Sequence, residues 1–97
     1  MAEWWEEKGQ EVYRVLGECI EHALEDENSE MATMCGIALA KFAEAEGANY
    51  FGYEGPYNFN RAINLVREAL ELAEKEGVPR WLEDELEELK KIVEGWK

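Results

Sequence analysis

Three side chains have the types and spacing that reactive or metal-binding chemistry uses: Cys19, His22 and Cys35. Cys19 and His22 stand about one helical turn apart, so the imidazole is in reach of taking the thiol proton and leaving a nucleophilic thiolate. Together with Cys35 they offer zinc two sulfurs and a nitrogen, and Glu18 or Asp26 would complete four ligands. His22 alone is a weaker candidate for a haem ligand. Two quieter uses compete. The thiols fill core volume unreacted, which is the ordinary fate of buried cysteine, or they close a disulfide if their α-carbons approach within about 7 Å. No paired Cys-x-x-Cys accompanies the Cys-x-x-His, and an isolated histidine at a helix edge usually meets water or a glutamate. Buried thiols are the first expectation, and the metal, nucleophile and disulfide readings stay open.

A second group could bind rather than react. The segment 47–60, GANYFGYEGPYNFN, holds five of the seven Tyr and Phe residues: Tyr50, Phe51, Tyr53, Tyr57 and Phe59. A connector between helices needs only a few polar residues. A long one rich in rings either covers the open end of a bundle or presents a recognition surface, with Gly52 and Gly55-Pro56 shaping its turns. Trp4 and Trp5 are adjacent, so both cannot face the core; they are free to extend an apolar patch or to serve as a lid. The expected ligand-binding set is Tyr50, Phe51, Tyr53, Tyr57 and Phe59, with Met31 and Gly36 from the neighbouring helix. Lys41, the only cation on that helix, either forms imines if desolvated or reaches past Ile37 to water, the commoner outcome.

The elements that must position these groups are helical. Val12, Leu16, Cys19, Ile20 and Ala23 recur at spacings of three and four, predicting a helix over about 3–27. Asn28-Ser29 breaks it, with Ser29 the expected N-cap of a second helix over 30–46. That helix is apolar around most of its circumference. Met31, Cys35, Ala38 and Phe42 form one face, Ala32, Gly36, Ala40 and Ala43 a small-residue face, and Thr33, Lys41 and Glu44 a narrow polar strip. Such a helix belongs in the middle of a fold. Glycine inside a helix costs about 1 kcal/mol against alanine, so Gly36 implies close packing or room for a ligand. A third helix, 59–76, starts at Asn58 and ends at Gly77. A fourth, 79–96, begins with Pro79 in its first turn and carries Leu82, Leu86, Leu89, Val93 and Trp96. Short turns force two antiparallel hairpins. The expected fold is all-α, one domain over 1–97, either a compact bundle or a short solenoid.

Composition narrows the partners. With 23 acidic and 10 basic side chains the formal charge is −13, which disfavours nucleic acid phosphates and anionic membranes and favours basic protein segments. The longest nearly apolar run, 31–40, is about half the length of a bilayer crossing. No secretory leader is expected, because Trp4, Trp5 and several glutamates occupy the start. Two cysteines in such a chain point to a reducing, cytoplasmic setting. No cofactor is implied.

Two resemblances add to this reading. Tyr13-x-x-Leu16-Gly17-x-x-Ile20 is similar to the first-helix pattern of the tetratricopeptide repeat family, and Phe59-x-x-Ala62-x-x-x-Val66-x-x-Ala69-Leu70 to its second-helix pattern. That resemblance implies a scaffold for peptides or proteins and carries over no catalytic residue. The stretch REALELAEKEGVPRWLEDELEELKKIVEGWK resembles computationally designed helical protein, with strong helix formers outside, leucine inside, and glycine then proline at the turn. The expected function is a non-enzymatic binding module or scaffold that takes a protein segment or a small apolar ligand on the aromatic segment and the second helix. The alternatives are an enzyme using Cys19 or Cys35 with His22, and an acidic mimic of nucleic acid that blocks a basic protein.

Overall fold

The computed structural model describes residues 4–46 and 58–96. They form four α-helices: α1 (Trp4–Glu25), α2 (Ser29–Glu46), α3 (Phe59–Glu76) and α4 (Glu83–Glu94), with a 3-10 turn over Arg80–Leu82 leading into the last. The fold is an all-α bundle of two antiparallel hairpins, with α2 packed against all three other helices. Its core includes Tyr13 and Ile20 of α1, Leu39 of α2, Val66 of α3, Leu82 before α4 and Leu89 within it, each almost wholly buried.

The turns follow from local chemistry. α1 stops where Glu27 takes a left-handed conformation (φ 53°). The Asn28 N–H then donates to the Ala23 carbonyl and the Glu27 N–H to Leu24, so orphan carbonyls at the helix end are satisfied. Asn28, not Ser29, caps α2: its side-chain oxygen accepts from the Met31 N–H. The Ser29 hydroxyl instead donates across the bundle to the Gly77 carbonyl, tying the turn of the first hairpin to that of the second. Asn58 caps α3 as expected, accepting from the Arg61 N–H. Gly77 ends α3 with φ 80°, a conformation that favours glycine. Pro79 precedes the 3-10 turn rather than opening α4 directly, and Glu83, Asp84 and Glu85 then place negative charge where the helix dipole favours it.

The small-residue face of α2 lets its neighbours close in. A Cβ at Gly36 would lie 3.4 Å from the Ala69 Cβ of α3 and 3.5 Å from the Leu89 Cδ2 of α4. Ala32, Ala40 and Ala43 are buried beside it. Besides Met31, which is exposed although assigned to the apolar face, three positions differ from the helical-wheel expectation. Thr33, assigned to a polar strip, is fully buried, and its hydroxyl has no hydrogen-bond partner among the described residues. Ala38, assigned to the apolar face, is exposed. Tyr13, absent from the expected core of α1, is fully buried with its ring edge-on to Phe42, centroids 5.2 Å apart. For the α2 positions the reason is that this helix has neighbours on three sides, so its buried arc is set by where they lie rather than by its own hydrophobic pattern; Tyr13 of α1 is buried where its ring packs on Phe42.

Two substitutions read this packing. Gly36→Ala adds one methyl at ordinary contact distance and removes glycine's entropic cost, so urea unfolding should show stability unchanged or raised by up to about 1 kcal/mol. Gly36→Leu should lose about 1–3 kcal/mol through overpacking. Thr33→Val should raise stability by about 1 kcal/mol, because it removes a buried hydroxyl while keeping the branched shape.

Candidate functional site: the outer face of the first hairpin

Cys19 and Cys35 are joined as a disulfide between α1 and α2, with α-carbons 6.2 Å apart. Of the uses open in the sequence, the less expected one is realised, and the expectation of buried free thiols gives way. The register explains it. The turn reverses near residue 27, so residues eight before and eight after lie at one level. Both also sit on the sides where the two helices meet. In this covalent state neither sulfur carries a thiol proton for His22 to take or a thiolate for a metal to bind. His22 is itself exposed in the last turn of α1. Among the described residues no group of three or more His, Cys, Asp or Glu is placed to hold a metal ion. Glu18, a suggested fourth ligand, is within 3.5 Å of Arg14, and Asp26 is exposed in the turn.

The binding candidates divide. Tyr50, Phe51, Tyr53 and Tyr57, with the turn at Gly52 and Gly55-Pro56, lie outside the described residues, as do the side chains of Trp4 and Trp5. Phe59 opens α3 and is half-buried against the core. Gly36 faces Ala69 and Leu89, so the small-residue face leaves no room for a ligand at that point. Met31 lies on the other side of α2 and is 40% exposed. Lys41 reaches water, as expected, and pairs there with α4: its Nζ is 3.2 Å from Glu88 and 3.9 Å from Glu85.

A different surface comes into view. Val15 on α1 is 52% exposed. With Val12 and Leu16 it lines an apolar groove of about 350 Å³, edged by Lys8 and Glu11. On α2, Met31, Ala38 and Ala45 are exposed, and their spacing of seven puts them on one side of that helix. The sequence carried a sign of this face. The spacing Val12, Val15, Leu16, Cys19 is a second stripe beside the buried line of Tyr13, Gly17 and Ile20, and one helix cannot bury both against a single neighbour. A cleft between α1 and α3, lined by Glu21, Glu25, Arg61, Asn64 and Glu68, is polar by contrast. The Arg61 guanidinium stands there 2.7 Å from Glu21. No helix among the described residues is long and apolar enough to cross a membrane. No protein-family model matches the chain, and no curated protein or solved structure matches it either.

The disulfide's contribution can be measured directly. Its cysteines are separated by 16 positions, and cross-linking a loop of that length restricts the unfolded chain by about 3 kcal/mol. Reduction, or the Cys19→Ser/Cys35→Ser pair, should lower unfolding stability by about 2–3 kcal/mol in urea titration. Because every helix keeps its packing partners, the helical circular dichroism of the reduced chain should persist below its lowered melting temperature.

Proposed function

We propose that this protein is a non-enzymatic binding module that takes a protein segment on the outer face of its first hairpin. The observation that carries the reading is the run of exposed apolar side chains, Val15, Met31, Ala38 and Ala45, on a chain of net charge −13. Water-facing apolar surface of this kind, rimmed by polar residues, is a mark of protein interaction sites. α2 ends at Glu46, and the ring-bearing segment follows it directly in sequence. Tyr50, Phe51 and Tyr53 are proposed to extend the same surface, since Tyr with Gly and Asn gives rigid contact area and adaptable hydrogen bonds. The acidic balance of the chain favours partners of opposite charge around an apolar centre.

The enzymatic reading requires Cys19 and Cys35 to be reduced, and the paired sulfurs weigh against it. A cytoplasmic setting is compatible with the disulfide only where that compartment is oxidising enough to keep it, as in some thermophilic organisms. A tetratricopeptide-like scaffold or a designed origin remains part of the proposal and rests on sequence pattern alone.

Selection of displayed random peptides against the immobilised, disulfide-intact protein tests the reading. Enriched peptides should carry apolar residues at helical spacing with flanking lysine or arginine. Their binding should fall by about tenfold or more with Ala38→Glu, which puts an unpaired carboxylate in the contact, while the melting temperature holds. Tyr50→Ala and Tyr53→Ala should weaken binding in the same way. Enrichment of no peptide, or binding indifferent to all three substitutions, would remove this function.

A further inference from the structure

α3 carries Asn60, Asn64 and Arg67 at spacings of four and three, which puts them on one side of the helix. All three are exposed. With Ile63 of the same helix and Trp96 beyond the end of α4, they line a cavity of about 320 Å³. Proteins hold small molecules in cavities of roughly 300–1,000 Å³ that combine apolar walls with a few placed polar groups. Trp96 is half-buried and packs against the core, so that wall is fixed. The cavity belongs to the second hairpin and shares no residue with the α1 groove or with Met31, Ala38 and Ala45 of α2.

Its lining has an unusual charge for this chain. Glu21, Glu25 and Glu68 line the cleft between α1 and α3, Glu74 and Glu83 the one beside the second reversal, and Glu11 the α1 groove. Here, among the described residues, no carboxylate lines the space, although the chain carries 23 acidic side chains. A guanidinium, two side-chain amides and two apolar side chains do. Arg67 is also oriented. Its Nη2 donates to the Trp96 carbonyl at 3.0 Å, whereas Arg14 and Arg61 are turned to Glu18 and Glu21. Glu71 stands one turn beyond Arg67 and is exposed. Among the described residues no ion pair joins the two. A guanidinium offers five N–H donors in a planar fork, so one bond to Trp96 leaves it able to take a second acceptor group.

We propose that this cavity binds a small aromatic carboxylate. The acid group takes the Arg67 fork, whose planar geometry matches a carboxylate. The Asn60 and Asn64 amides donate to its remaining lone pairs. The ring lies against Ile63 and Trp96, where its apolar surface leaves water. Other ligands fit this lining less well. A bare inorganic anion leaves the apolar walls unused. A doubly charged phosphate meets a single lining cation on a chain of charge −13. An amine sets its positive charge beside the guanidinium. One negative charge and one flat apolar body are what the lining can match together.

Titration of sodium naphthoate into the full, disulfide-intact chain, followed by nitrogen–proton correlation NMR, tests this. The expected result is a set of saturable shifts centred on Asn60, Ile63, Asn64, Arg67 and Trp96 at millimolar ligand, with Val15 and Ala38 undisturbed. Acetate lacks the ring and naphthalenemethanol lacks the charge, so each should bind about tenfold more weakly or worse. Arg67→Met keeps an unbranched side chain and removes the fork, and should weaken naphthoate by about tenfold or more. Arg67→Lys restores the charge without the fork and should recover only part of that loss. Arg80→Met, the same loss of charge outside the cavity, should change nothing. Arg67 is exposed, and matched melting curves verify folding. Naphthoate that produces no saturable shift overturns the inference, as does binding indifferent to Arg67→Met. Naphthalenemethanol that binds as tightly as naphthoate overturns it with the wild-type chain alone. Peptide selection on the first hairpin reads a different surface, so either result stands without the other.

Discussion

At Gly36 an added Cβ would already stand at van der Waals distance from both Ala69 and Leu89, so only side chains as small as a methyl fit between α2 and the second hairpin there, and much of the remaining architecture follows from that limit. Two helices from the second hairpin can share one side of α2 only if the residues there are small. Ala32, Ala40 and Ala43 meet that condition as well. Dispersion forces fall steeply with separation, so a seam of small residues gains contact through proximity rather than through bulk. Leu89 of α4 reaches into that seam, and Tyr13 of α1 packs edge-on against Phe42 of α2. α2 thereby acts as the wall that both hairpins share.

The helices were readable from the residues because their ends are chemically marked. Asn58 and Gly77 bound α3 where capping rules put them, whereas the stripe of Phe59, Ile63, Val66, Leu70 and Ala73 found its buried line only in part, since Ala62, Leu65 and Ala69 are buried and Phe59, Ile63 and Leu70 only half so. α1 was less legible. Its end depends on Glu27 taking a left-handed conformation, which glutamate rarely does, so nothing in local sequence singled that position out ahead of Asn28. Ser29 looked like a cap and turned out to serve a residue far away in the chain. Such long-range hydrogen bonds are set by tertiary arrangement and leave no periodic trace.

The candidate surface was legible only in part. α1 carries two apolar stripes and α2 is apolar almost all round, which together announce more hydrophobic surface than three neighbours can cover. Which residues are left over is a matter of packing: Thr33 went inside and Ala38 outside although their chemistry suggests the reverse. The cysteine chemistry was open in the sequence because thiol, thiolate and disulfide share the same letters. Only the juxtaposition of α1 and α2 distinguishes them. The ring-bearing connector was the most conspicuous stretch by composition, and its part in binding rests on composition still.

The hydrogen bond from the Ser29 hydroxyl to the Gly77 carbonyl has a mechanical corollary. It joins the reversal after α1 to the reversal after α3, so sliding one hairpin along the other breaks that bond as well as the apolar contacts of α2.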